Sequence, residues 1–339
     1  MKNTKHLIVA PSLIEDIKTI ISNARVNITK KINSELLLTY WQIGKLIVNN
    51  EKKNSFNEQT ARQVILTLST QLTRELGKGF SRSNLFNMRK FYIEYKSAQT
   101  VSGHLSWSHI CELLVIDDKP KRDFYQKETI NSNWSFRELK RQVNTSLYER
   151  LLLSSGKNNK EKVLALALKG QEIQKPVDII KEPYVFEFLE LPENKPVLEK
   201  DLEASLIKNL ENFLLELGKG FMFVGSQQRI TINNTSYYVD MVFYNKILKC
   251  YVLIELKTRK LDIADAGQLN TYLNYYKTEV NEKSDNPPVG IILCADKDEI
   301  TAEYILSGFE NKVFASKYSL VLPQKQKLIE EVKKIMKKK

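Results

Sequence analysis

Apolar residues recur at helical spacing through the first part of the chain. Leu13, Ile17, Ile20 and Ile21, then Leu36, Tyr40, Ile43 and Ile47, predict helix over residues 12–50. A second helix is expected from about Gln59 to Leu76, stopped by Gly77-Lys78-Gly79. Ser81 is placed to cap a third, with Leu85, Met88, Tyr92 and Tyr95 as its apolar stripe. Ser106 caps a helix opening Trp107-Ser108-His109, and Ser135 with Glu138 forms a capping box for another. After the polar break SSGKNNK (154–160) and the proline-bearing stretch Pro176 to Pro196, the pattern changes. A helix over about Lys200–Leu217 precedes short apolar runs of strand length at Phe221–Val224, Gln228–Ile232, Tyr237–Tyr244 and Cys250–Glu255. A helix at Ile263–Tyr276, a buried strand at Val289–Ala295 and a further strand near Leu320 follow, and then a lysine-rich tail. The expected organisation is an all-α domain over 12–155, a linker over 156–180, and an α/β domain over 181–339 built on a mixed sheet.

Composition narrows what such a chain does. Its 339 residues favour two domains, and 42% hydrophobic with 27% charged residues is ordinary for a globular protein. No uninterrupted apolar run approaches 18 residues, and the N-terminus lacks a signal-peptide core, so a cytoplasmic protein without membrane segments is expected. Cys111, Cys250 and Cys294, odd in number and set in apolar sequence, read as reduced core thiols. A net charge of +12 suits a polyanionic partner, although a solvated basic surface has the same composition. The three histidines, His6, His104 and His109, all lie in the first third. Catalysis in the C-terminal half therefore proceeds without a histidine base or ligand.

A helix, a glycine-bearing turn and a second helix with Arg82, Arg89 and Lys90 off its apolar stripe make a helix-turn-helix-like or winged-helix-like pattern. Arg137, Lys140 and Arg141 form a second basic group. These six are the candidate DNA contacts, against the plainer alternative of a helical bundle with a basic side. Trp107, Trp134, Phe124, Tyr125 and His109 are better explained by packing than by base stacking or catalysis.

The unusual chemistry lies in YYVDMVFYNKILKCYVLIELK, Tyr237 to Lys257. Asp240 interrupts one apolar run, and Glu255 and Lys257, two apart and so on one face, end the next. If the hairpin pairs residues whose numbers sum to 495, Asp240 stands opposite Glu255. Two carboxylates so placed repel, and a magnesium ion (or manganese in its place) relieves them while leaving positions for water and phosphate. Lys257 would orient water or stabilise phosphate charge. Glu203 extends the apolar stripe of the preceding helix, where an acid serves either the site or the helix dipole. Gln268 aligns with Tyr272 and Tyr275, as a substrate- or water-binding amide or as an exposed glutamine.

The D-x14-E-x-K arrangement, with the earlier glutamate and later glutamine, resembles the PD-(D/E)XK nuclease superfamily. GFSRSNLFNMRKFY, LSWSHICELL, NWSFRELKRQV, FLLELGKGFMFVG, YYVDMVFYN, IELK and AGQLNTYLNYY, in order, narrow the resemblance to YhcG-type proteins. It implies a restriction-endonuclease-like α/β domain behind a helical DNA-binding-like domain. It also implies Asp240, Glu255 and Lys257 as catalytic core, Glu203 and Gln268 as accessory residues, and magnesium as cofactor. Val239 stands where the nominal proline would be, a position without a catalytic atom. The expected activity is metal-dependent DNA cleavage, with a homodimer suited to double-strand cuts. A catalytically weak adaptor, or a junction- or RNA-directed nuclease, shares the same pattern.

Overall fold

The computed structural model describes residues 11–101, 103–154, 165–192 and 197–337. The SSGKNNK break lies outside them except for Ser154, as does His6. Two compact units divide the chain: residues 1–122 with 129–139, and residues 123–128 with 140–339. Residues 140–153, which sequence alone groups with the helical domain, thus fall in the second unit. Among the described residues no helix is long and apolar enough to cross a membrane.

The first unit is helical. Helix α1 runs Pro11–Lys53, α2 Glu58–Leu76, α3 Arg82–Glu94 and α4 Trp107–Leu114, and α5 (Lys119–Ser132) and α6 (Phe136–Asn144) contribute in part. The caps form as the sequence predicts. The Asn84 N–H donates to Ser81 Oγ at 3.3 Å, and Ser135 and Glu138 exchange capping bonds of 2.5 and 3.3 Å. His109 closes the α4 cap through Nδ1, 3.1 Å from the Ser106 N–H, which explains a histidine there by packing. Ile47, Ile65, Leu85 and Met88 form a buried cluster with Tyr40, Phe86 and Trp107 packed against it. The helix expected over 12–50 forms within α1, and its first turns cover no core: every residue from Leu13 to Ile32 is exposed.

In the second unit a six-stranded mixed sheet has the order β1-β6-β5-β4-β3-β2. The strands are β1 (Tyr184–Val185), β2 (Phe221–Ile232), β3 (Thr235–Asn245), β4 (Cys250–Lys260), β5 (Val289–Asp296) and β6 (Lys312–Ser319). Strands β2, β3 and β4 are antiparallel, and β4, β5, β6 and β1 run parallel. Helix α7 (Leu147–Leu153) lies in this unit, and the helix expected over 200–217 is two, α8 (Glu199–Lys208) and α9 (Leu210–Leu217), broken at Asn209. Leu202, Leu206, Phe213 and Leu217 from these helices bury against Met241, Phe243, Val252 and Ile254 on one sheet face. Helices α10 (Ile263–Tyr275) and α11 (Glu299–Leu306) cover the other, where Leu269, Tyr272 and Leu273 meet Val242, Leu253 and Ile292. Removing these side chains from water is the main stabilisation, about 1.5–3 kcal/mol for each fully buried one. Cys250 and Cys294 are buried in this core as thiols. The lysine-rich tail enters a helix, α12 (Lys325–Lys337).

Candidate active site

The hairpin register matches the sequence expectation. Met241 pairs with Ile254, Val242 with Leu253 and Asn245 with Cys250, each pair summing to 495. At the next rung the ladder gives way to side chains. The Asp240 N–H points to Glu255 Oε1 at 3.4 Å, and Asp240 Oδ2 accepts the Leu256 N–H at 2.8 Å. Alternation along β4 places Glu255 and Lys257 with Leu253, toward the α10 face. The two carboxyls meet where β3 and β4 part.

Burial differs across this group. Glu255 is 1% and Lys257 8% exposed, while Asp240 is half-buried. Desolvation, with the charge of Asp240 added to it, pushes the Glu255 carboxyl up to about 8. Asp240 is raised by burial as well, against the opposing pull of the Leu256 N–H and Lys257. Lys257 Nζ lies 3.5 Å from Glu255 Oε2 and 3.9 Å from Glu199 Oε2. Burial alone would lower its pKa, but Glu255, Asp240 and Glu199 together raise it, so the ammonium stays charged.

Glu203 does converge on this site. Gln227 Nε2 donates to Glu203 Oε2 at 2.7 Å and to Asp240 Oδ1 at 3.3 Å, bridging the helix acid to the strand acid. Burial raises the Glu203 pKa, with Asp240 contributing and the Gln227 bond opposing. Gln268 is exposed and donates to the Tyr272 hydroxyl at 2.7 Å; no hydrogen bond links it directly to the carboxylates. The charges of Glu255, Asp240 and Lys257 are nevertheless felt at the Tyr272 hydroxyl.

Two residues of the site are missing from the expectation drawn from sequence. Glu199 accepts the Thr258 N–H at 3.2 Å and sits near Lys257; its place four residues before Glu203, one helical turn along the same face, was the available signal. Gln227 has φ +48, a left-handed conformation unusual for a residue with a side chain, inside a strand whose register slips between Phe223 and Gly225.

The donor set consists of hard carboxylate oxygens. Two acids that repel at close range, with a charged lysine beside them, suit a small divalent cation that keeps water and phosphate oxygens as its remaining ligands. Among the described residues no group of three or more His, Cys, Asp or Glu side chains could hold a metal ion, so the fit rests on the two carboxylates, Asp240 and Glu255.

The basic residues fare unevenly. Arg82 is exposed beside the Phe86 ring, 5.7 Å from its centroid, and Arg137 is exposed. Arg89 is held by Glu51 through bonds of 2.8 and 2.9 Å, and Lys90 meets Asp117 at 2.9 Å. Lys140 is exposed. Arg141, expected among the DNA contacts, is instead mostly buried and bonded to Glu187 and Glu216. A guanidinium held by two carboxylates has no charge to spare for a phosphate.

The mixed sheet flanked by helices, with this site at its parting strands, defines a nuclease of the PD-(D/E)XK class. The family model for the YhcG PDDEXK nuclease domain matches residues 177–334, and the DUF1016 N-terminal domain model matches residues 16–150. The chain belongs to the YhcG family: it is 35% identical over 345 residues to "Putative nuclease YhcG" of Escherichia coli (strain K12), covering 92% of this chain and 91% of that protein. Solved structures similar to part of the chain include a repair endonuclease from Pyrococcus abyssi, at 20% identity and a TM-score of 0.27. That match covers 39% of this chain and 50% of the other. EndoMS in a complex with double-stranded DNA is similar at 15% identity and a TM-score of 0.26, over 40% and 51% of the two chains.

Proposed function

We propose that the protein is a magnesium-dependent endonuclease that hydrolyses phosphodiester bonds in DNA. The observation that carries this reading is the rung at which Asp240 meets Glu255 with the Lys257 ammonium 3.5 Å away. A magnesium ion bound there would polarise a phosphate oxygen and make its water more acidic. Asp240 and Glu255 would hold it, and Glu203 would shape the approach through Gln227. Lys257, kept charged by its acidic neighbours, would orient the attacking water and balance charge on the scissile phosphate. Glu199 would steady that ammonium from the start of α8. Gln268 would act through the Tyr272 hydroxyl, fixing it near the carboxylates.

The helical unit would add affinity for the DNA backbone, with Arg82 and Arg137 as its exposed contacts; Lys140 is a further exposed cation, in the second unit. Arg89 and Lys90 already have acidic partners, so they would contribute less. Such contacts neutralise phosphates without reading bases, and affinity should fall steeply with salt. A cut through both strands needs two sites, hence a homodimer.

The test is a panel of linear, circular and branched DNA and RNA, incubated with magnesium or with EDTA, using the wild type and Lys257→Ala. Cleavage of DNA that requires magnesium, and is lost in the variant while DNA binding persists, is the expected result. Metal-dependent cutting retained by Lys257→Ala would overturn the site. An absence of any product would make the chain a binding adaptor, and cleavage confined to RNA or branched DNA would reassign the substrate.

A further inference from the structure

Strands β2 and β3 run on past the Asp240 rung as a two-stranded arm. The β3–β4 ladder ends at the Met241–Ile254 pair, whereas the β2–β3 ladder continues through Gln228–Val239 to Ile232–Thr235. Asn233 and Asn234 close the arm in a two-residue turn, both with positive φ, +47 and +63, the backbone that matches the twist of a hairpin. A two-stranded ribbon alone is marginally stable in water, but one face of this one is anchored. Ile230 and Val239 are buried in the core beneath α10, and the Tyr237 ring lies 6.2 Å from that of Tyr272.

The opposite face is uncovered and carries particular chemistry. Alternation along the arm puts Arg229 and Tyr238 there, directly opposed in the register, with Cβ atoms about 5 Å apart. Tyr238 is 50% exposed, and among the described residues no ring packs on it and no side chain hydrogen-bonds its hydroxyl. Arg229 is exposed and pairs with no carboxylate among the described residues. Its Nε donates to Ser236 Oγ at 3.0 Å, which holds the guanidinium against the same face. Tyr238 stands two residues before Asp240, roughly 7 Å along the strand. An open aromatic face with a cation beside it, that close to the proposed metal ligands, suits the base and the phosphate of a nucleotide. Inside a duplex both faces of each base are covered by its neighbours, so a flat ring finds nothing to stack on. An unpaired base offers it a surface.

We infer, resting on the nuclease reading for the identity of the polymer and the place of the cut, that Tyr238 and Arg229 form a platform for an unpaired nucleotide beside the scissile phosphate. The preferred DNA is then single-stranded at the cut, as in a gap, a flap or a junction arm. Tyr238 stacks on the base and Arg229 meets a neighbouring phosphate; neither takes part in the chemistry.

Fluorescence anisotropy in EDTA tests the platform without cleavage, using the full-length protein, a dye-labelled oligothymidylate and a blunt duplex of the same length. Tyr238→Thr, which keeps a β-branched residue in the strand, should lose about tenfold in affinity for the single strand and nothing for the duplex. Tyr238→Phe retains the ring and should bind as the wild type does. Arg229→Gln should weaken binding of the single strand and lower the salt slope by about one. Equal losses on both probes for Tyr238→Thr, or no loss on the single strand, would overturn the platform, since a merely structural change would not tell the probes apart. Magnesium-dependent cleavage of a gapped and an intact duplex, run alongside, separates this inference from the nuclease reading. The wild type should cut the gapped DNA faster, and Tyr238→Thr should lose that preference. Equal rates on both DNAs in the wild type would strike the platform alone. Cleavage of neither, with Tyr238-dependent binding intact, would strike the nuclease reading and leave the platform.

Discussion

Glu216 and Glu255 are both glutamates buried in the same unit, and their surroundings are opposite. Glu216 is 0% exposed and ringed by cations. Arg150 Nη1 bonds its Oε1, Arg141 reaches Oε2 at 3.2 Å, and the Val185 N–H donates at 3.0 Å. The Lys181 ammonium bonds its backbone carbonyl. Arg150 is itself saturated, donating to the Thr145 carbonyl at 2.8 Å and to the Pro183 carbonyl at 3.0 Å. Burial would push the Glu216 pKa up, but the charges of Arg150, Lys181 and Arg141 hold it down at about 2. Glu255 faces another acid and one lysine, and burial sends it up to about 8. A carboxylate buried for structure is surrounded by its counterions. Glu255 is left with its charge incompletely matched, the mismatch that the proposed cation would fill.

Exchanging acid for amide at each position should separate the two roles. The largest effect belongs to Glu255→Gln, which should lower the cleavage rate at least a thousandfold, about 4 kcal/mol of barrier, in steady-state assays. The same variant should melt no lower than the wild type in EDTA, since it removes a costly buried acid. A substantial fall in melting temperature would mean that Glu255 is structural.

Glu216→Gln should do the reverse. Leaving Arg150 and Lys181 without a buried counterion costs about 3–5 kcal/mol in denaturant unfolding. Cleavage per folded molecule should be unchanged, and a loss under about 1 kcal/mol would show that the cluster is dispensable.

Acid and base should also act with opposite sign on the two residues. The folded pKa of Glu216, about 2, lies below its ordinary 4.5, so its contribution is complete above 4.5 and disappears as pH falls toward 2. That shift corresponds to something on the order of 3 kcal/mol. The folded pKa of Glu255 lies above its ordinary 4.5, so the metal-free protein should lose stability as pH rises from about 4.5 toward about 8. Unfolding across this range in EDTA should show both slopes, the first absent in Glu216→Gln and the second absent in Glu255→Gln.

The smallest effect is at Gln227. Glycine relieves the left-handed backbone there, for a gain of about 1 kcal/mol, but removes the bridge between Glu203 and Asp240. A higher melting temperature with slower cleavage is expected. A lower one would mean that the amide bonds outweigh the backbone strain.

Much of this was legible before any coordinates. The Asp240–Glu255 rung follows from two apolar runs whose pairing leaves each charge a single possible opposite, and Glu203 follows from a stripe it extends. Periodicity reports neighbours along one element, and it loses its force where an element departs from ideal geometry. The slip between Phe223 and Gly225 decides which side of β2 Gln227 takes, and a one-residue error would point it away from the site. Arg141 had no local sign of its fate, because Glu216 is 75 residues away in the chain. The Leu13–Ile32 segment was legible as helix, but periodicity does not say whether an apolar face is buried, and this one is exposed.

The bond from the Leu256 N–H to Asp240 Oδ2 has a practical consequence. The Asp240 carboxylate, proposed above as a metal ligand, also occupies a rung of the sheet. Alanine at position 240 strands a backbone donor at the mouth of the hairpin, whereas asparagine retains an acceptor there, so the two inactive variants are unequal as controls. The amide proton of Leu256 is a natural reporter: its exchange and chemical shift register the carboxylate's orientation as ligands come and go.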